Sequence, residues 1–234
     1  MIAVGFDFDH TLGLDHGLER EALVLLAGEL GIVPPGGEDA VRALTTDVIE
    51  RFRSGELTLE EMVMVFVARV RGDARDQDDH APRWRALCYD LVARVTAIPG
   101  ARELIAQLQA RGIPVAILTN GWSPLQEMKI AQALAFTGEI LVSDEIGVRK
   151  PAAAAFEKLV AALGASPAEC LYVGDNPAAD VVGAQAAGLR GVWFDWEGLV
   201  YPRGEAPPAH VVHALSEVLD LVPGSDARTE NVAS

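Results

Sequence analysis

Beyond Pro99 the chain alternates short apolar runs with segments of helical period, and no other feature restricts the fold as strongly. Helices are expected at 101–111, near 124–134, at 152–163 and at 177–187. Strands are expected at 114–119, near 139–142, up to Gly174 and at 191–194. Strands separated by helices of this length pair in parallel, with crossover helices on both faces of the sheet. The expected architecture is therefore α/β, a doubly wound, Rossmann-like parallel sheet. Such sheets bind ligands outside the carboxyl ends of their strands, where the strand order switches. Polar residues at strand ends are thus the first candidates for chemistry.

The amino-terminal run Ile2-Ala3-Val4-Gly5-Phe6-Asp7-Phe8-Asp9-His10-Thr11-Leu12 is an apolar strand that ends on two carboxylates. Side chains alternate along a strand, so Asp7 and Asp9 lean to one side while Phe6 and Phe8 pack on the other. One carboxylate can then attack a substrate while its neighbour gives and takes a proton, provided a cation offsets their repulsion. Three further signals follow in order. Val115-Ala116-Ile117-Leu118 runs into Thr119, Asn120 and Gly121, a hydroxyl and a turn pair at a strand end. Lys150 stands just before Pro151, where a helix begins and phosphate oxygens would meet a positive charge. Cys170-Leu171-Tyr172-Val173-Gly174 runs into Asp175, Asn176 and Asp180. Each alone also reads as a turn, a surface lysine or a helix-start acid.

In sequence, Asp-x-Asp-x-Thr, Thr-Asn, Lys-Pro and Gly-Asp-x-x-x-x-Asp resemble the four motifs of the haloacid dehalogenase superfamily of hydrolases, from Ile2 to about Phe194. The resemblance implies an aspartyl-phosphate mechanism supported by Mg²⁺. It makes Asp7 the nucleophile and Asp9 the general acid and base. Thr119, Asn120 and Lys150 become the phosphoryl-binding group, with Lys150 also counted as catalytic. Asp7, Asp175 and the backbone carbonyl of Asp9 become the metal ligands. Asp180 supports the site or Lys150, with Asn176 and Thr11 alongside. His10 departs from the pattern, since many members carry glycine there. The charge balance agrees: a phosphate monoester brings about two negative charges to a site already rich in acids, so a hard divalent cation with oxygen ligands is required.

Between the first motif and Ile98 no strand pattern appears, and three or four amphipathic helices are expected instead. Leu18, Ala22, Leu25, Leu26 and Leu30 form one stripe; Val41, Leu44, Val48, Ile49 and Phe52 form another. Thr58 and Glu61 fit a capping box before Met62, Phe66, Val67 and Val70, and a fourth helix is expected at 82–95. The expected division is a catalytic core of residues 1–13 and 99–222, a helical cap at 14–98 and a disordered tail at 223–234. By resemblance, the cap closes on the substrate and sets specificity. A loop is expected at 72–81 and a final helix at 211–221, whose His210 and His213 read as a solvated face rather than a metal pair. His16 and His80 suggest no role, and Arg51, Arg53, Arg69 and Arg71 read mainly as surface charges.

With 34 acids against 19 bases the chain carries a formal charge of −15, which argues against nonspecific nucleic-acid binding driven by phosphate neutralisation, and no nucleic-acid partner is expected. No apolar run reaches membrane-spanning length, and the first residues form a core strand without a basic leader, so a cytoplasmic location is expected. Cys88 and Cys170 show no Cys-x-x-Cys spacing and read as reduced packing residues. The first-choice activity is a Mg²⁺-dependent phosphatase for a small phosphorylated metabolite. A dehalogenase would leave Asp9 without a task, and a phosphomutase differs only in returning the phosphoryl group to a sugar. A phosphorylated signalling or metabolite-binding module would lack both the helical insertion and a reason for Asp9. Substrate identity and oligomeric state are not encoded legibly.

Overall fold

A computed structural model describes residues 2–32, 36–72 and 78–223. It divides into two compact units, one formed by the residues up to Leu14 with those from Thr96 onward, the other by Asp15–Val95. In chain order, β1 (Ala3–Phe6) and β2 (Gly13–Leu14) precede the helical unit of α1 (Leu18–Glu29), α2 (Gly37–Arg53), α3 (Leu59–Arg71) and α4 (Ala81–Leu91). Next come β3 (Thr96–Ala97), α5 (Ala101–Ala110), β4 (Val115–Thr119), α6 (Leu125–Ala133), β5 (Glu139–Val142) and α7 (Ser143–Ile146). The chain continues through α8 (Ala153–Leu163), β6 (Cys170–Gly174), α9 (Gly183–Ala186), β7 (Arg190–Phe194) and β8 (His210–Val212).

Six strands form a parallel sheet in the order β5-β4-β1-β6-β7-β8, and β2 pairs with β3 in a separate antiparallel ribbon. The chain builds from β1 outward to β5, then returns across β1 to start the other half at β6. That reversal sets the carboxyl ends of β4, β1 and β6 side by side, the place where an open α/β sheet binds its ligand. β1 and β6 are buried along their whole length, as central strands covered on both faces must be. One face packs Phe156, Leu159 and Leu163 of α8 against Ala3, Leu118, Cys170 and Tyr172 of the sheet. Cys88 and Cys170 are both free and buried, as packing residues should be.

The expected strands and crossover helices appear, with two differences. The helix expected at 177–187 opens as a wide π turn over Pro177–Val182 before α9, with the amides of Asp180 and Val181 both directed at the Asn176 carbonyl. The helix expected at 211–221 forms only in its second part, as 3₁₀ helix rather than α-helix. His210–Val212 instead add a sixth strand to β7, followed by a 3₁₀ turn at Leu215–Leu221. β-branched Val211 and Val212 suit a pleated edge, and pairing with Trp193 and Phe194 outweighs local helical period. His213 accordingly lies beyond a strand rather than on a helix face.

In the helical unit, Thr58 caps α3 through the Glu61 amide while the Glu61 carboxylate accepts from the Thr58 N–H, the expected reciprocal box. Met62, Phe66, Val67 and Val70 form the buried face of α3. On α1 the stripe is rotated: Leu23 is buried and Leu25 is 40% exposed. The fourth helix starts at Ala81, where Asp79 accepts from the Ala81 amide, and ends at Leu91 before a single 3₁₀ turn at Val92–Arg94. Gly72 closes α3 in the left-handed conformation, Asp78 to His80 carry no regular structure, and the rest of the expected 72–81 loop lies outside the described residues. Of the expected 223–234 tail, only Pro223 is described. No helix among the described residues is long and apolar enough to cross a membrane.

Candidate active site

β1 ends at Phe6, and the Asp7 N–H extends its ladder by donating to the Val173 carbonyl at 2.9 Å. Asp7 is thus carried on the central strand, level with the end of β6. The Lys150 ammonium lies 2.7 Å from Asp7 Oδ1 and 2.6 Å from Asp180 Oδ1, and it donates to the Tyr172 hydroxyl at 2.9 Å. Tyr172 in turn donates to the Leu118 carbonyl at 2.7 Å. Lys150 is 4% exposed and Asp180 1%, so these charges compensate one another rather than relying on water. Burial opposes the Lys150 charge, but Asp180 and Asp7 outweigh it and push the ammonium well above its usual range.

Local structure explains how Lys150 arrives. The Asn120 side chain donates to the Lys150 carbonyl and accepts from the Lys150 N–H, both at 2.9 Å. This clamp ties the end of β4 to the segment before α8. The next residue is fixed as well, since the Gly121 N–H donates to the Ser143 hydroxyl at 3.1 Å. Thr119, the last residue of β4, is buried at the same sheet end.

Asp175 follows β6 and is held by Thr11, whose hydroxyl donates to Asp175 Oδ1 at 3.3 Å and lies 3.0 Å from the Asp175 amide that donates to it. The Asn176 side chain accepts from the Ala178 and Ala179 amides at the start of the π turn. The Asn176 amide donates to Asp180 Oδ2 at 2.9 Å. Gly174 permits this arrangement, because a Cβ there would lie 2.3 Å from Asp180 Oδ2.

Carboxylate oxygens of Asp7, Asp175 and Asp180 lie within 4.8 Å of one another, a grouping able to hold a cation. Asp180 has both oxygens engaged, by Lys150 and by the Asn176 amide, so Asp7 and Asp175 are the better ligands. Burial first, then the charge of Asp180, raise the Asp7 carboxyl from 3.8 to about 7 against the lowering effect of Lys150. Burial, Asp7 and Asp180 raise Asp175 to about 8. Acids held this far above their ordinary range lack positive charge, and a hard divalent ion with oxygen ligands fits that deficit.

Asp9 stands apart from the cluster. Its Oδ1 lies 2.5 Å from the Lys129 ammonium and its Oδ2 accepts from Gln126 Nε2 at 2.9 Å. Its charge is the smallest of the causes that raise Asp7. His10 adopts φ 61°, a left-handed conformation that glycine reaches without strain, which accounts physically for glycine at this position in the resembling motif.

The sequence model of the haloacid dehalogenase-like hydrolases matches residues 2–188. The chain belongs to that family. Over 127 residues it is 41% identical to a phosphoserine phosphatase of Thermus thermophilus, an alignment covering 53% of this chain and 51% of the relative. A pyrimidine 5'-nucleotidase of Streptococcus pneumoniae, PynA, is 25% identical across 93% of both chains. The HAD-hydrolase YfnB from Bacillus subtilis, solved bound to magnesium, shares the fold with a TM-score of 0.72 at 22% identity, covering 94% of this chain and 97% of that one. Solved dehalogenases share the fold as well. The chain spans about half the length of the first of these relatives.

Within this haloacid dehalogenase-like hydrolase, three residues at the site escape sequence reasoning: Tyr172, Gln126 and Lys129. Tyr172 reads as one more apolar strand residue. Gln126 and Lys129 read as the polar face of a helix, and the only hint is that they lie three apart just after the Thr-Asn-Gly turn.

Proposed function

We propose that the protein hydrolyses a small phosphate monoester, with Asp7 as nucleophile. The observation that carries this reading is the second carboxylate. Asp9 follows Asp7 by two residues but is held separately by Lys129 and Gln126, outside the Lys150 cluster. Displacement of halide would need no proton donor, whereas departure of an alkoxide does. The match to phosphatases in sequence supports the same choice.

Asp7 attacks phosphorus through a carboxylate oxygen. The ester P–O bond breaks with its electron pair on the leaving oxygen, which takes a proton from the Asp9 carboxyl. Asp9, now a carboxylate, removes a proton from water as the water oxygen attacks the acyl phosphate. The bond between Asp7 and phosphorus breaks, returning the Asp7 carboxylate and inorganic phosphate. Lys150 and the Thr119 hydroxyl stabilise negative charge on the phosphoryl oxygens. Asp7 and Asp175, with the Asp9 carbonyl, would hold Mg²⁺, which when bound supplies compensation for these acids and for the phosphoryl group.

The test is turnover of p-nitrophenyl phosphate and a panel of phosphorylated metabolites, with and without Mg²⁺. Mg²⁺-dependent phosphate release is the expected result, and one metabolite with a dominant kcat/KM would name the substrate. No release from any phosphomonoester would overturn the reading.

A further inference from the structure

We propose that Lys129 and Gln126 are positioning residues for Asp9, holding its carboxylate in the orientation from which it passes protons to the leaving group and accepts them from water. The inference rests on the phosphatase reading and adds the groups that aim its acid. A carboxylate on a short side chain turns about two torsions. The hydrogen bond from Gln126 to Oδ2 at 2.9 Å and the ion pair of Oδ1 with the Lys129 ammonium at 2.5 Å restrain both. Each oxygen keeps a further lone-pair direction, so Asp9 can carry a proton while gripped.

The two donors are themselves fixed. Gln126 Nε2 also donates to the Asn120 carbonyl at 3.0 Å, which ties α6 to the turn that holds Lys150. The residue after Asn120 must lack a side chain for this, since a Cβ on Gly121 would lie 2.3 Å from Gln126 Nε2. Lys129 is 1% exposed, with its ammonium 5.8 Å from the centroid of the Phe8 ring. Lysine is almost never buried to this degree without a charged partner, and an apolar residue of similar volume would fill the space without desolvating an ammonium. What the charge adds is a fixed partner for Asp9.

Lys129→Met keeps an unbranched side chain of similar volume, one atom shorter, and removes the charge. The comparison is kcat/KM on glycerol 2-phosphate, whose alkoxide needs a proton, against p-nitrophenyl phosphate, whose leaving group needs little help. The expected result is a loss of about 10-fold to 100-fold on the first and less than about threefold on the second. In an Asp9→Asn background, Lys129→Met should change kcat/KM by less than about twofold, since the two act as one unit. Equal losses on both substrates, or a full loss added to that of Asp9→Asn, would overturn the proposal. Should Lys129→Met fail to fold, Gln126→Leu carries the same comparisons. Crystal structures of the wild type and Lys129→Met give a readout without turnover: Asp9 is expected to leave its wild-type rotamer, and an unmoved Asp9 would overturn the proposal. A wild type inactive on every phosphomonoester would instead overturn the phosphatase reading, and the Asp9 rotamer would still decide the role of Lys129.

Discussion

The two units use charge in opposite ways. In the helical unit most arginine pairs are exposed: Arg83 with Glu29 at side-chain exposures of 49% and 41%, Arg69 with Asp47 at 48% and 47%, Arg85 with Glu60 at 37% and 54%, while Arg53 meets a buried acid, Glu19. In the α/β unit Lys129 and Lys150 are buried against Asp9, Asp7 and Asp180. Exposed pairs gain little, because water and salt already solvate and screen both partners. Buried pairs have given up that solvation, so each charge depends on its neighbours and removing one exposes the rest. The contrast marks the end of the sheet as the place where charge is buried against charge.

The largest test of the contrast is Asp7→Asn, which keeps the shape of the nucleophile and removes its reactivity. Turnover should vanish while the circular dichroism spectrum stays that of the wild type; substantial residual activity would exclude covalent catalysis by Asp7. Lys150→Met should reduce kcat by about 10²-fold to 10³-fold, as loss of one donor to a developing charge does. It should also destabilise the protein by roughly 3–5 kcal/mol in urea unfolding, because Asp7 and Asp180 lose their shared cation.

A subtler test uses pH. Asp7 and Asp175 sit at about 7 and about 8 in the folded chain, against 3.8 for a free aspartate. Between those limits the folded protein keeps protons that the unfolded chain has released, so metal-free stability should fall as pH rises from about 4 to 8. A divalent ion binds the ionised acids, so the rise in Tm on adding Mg²⁺ should be larger at pH 8 than at pH 5. An equal rise at both values would argue against Asp7 and Asp175 as its ligands. The smallest effect is expected from Arg83→Ala, which should leave Tm and kcat on p-nitrophenyl phosphate as in the wild type. A large change there would break the contrast between the units.

Much of the site was legible because its residues follow strands. Asp7, Thr119 and Asp175 each sit at the end of an apolar run, and parallel pairing brings such ends together. Asp180 and Lys150 were legible through their motifs, although only the fold shows that they meet each other at 2.6 Å. The role of the Asn120 side chain was not legible, since a turn asparagine gives no sign that it will clamp the Lys150 backbone. The terminal strand was missed for a related reason. Residues 211–221 have helical period, yet the open edge of β7 was available for pairing, and an available edge is not a local property.

Local pattern by itself determined the alternation of strands and helices, the helical character of residues 15–95, and which acids stand at strand ends, because burial and period act residue by residue along the chain. Only the tertiary structure decided which cation serves which acid. Lys150 stands in a motif and Lys129 in none, yet both owe their partners to desolvation against Asp9 and against Asp7 and Asp180, contacts that exist only when α6 and the α7–α8 segment pack at the end of the sheet.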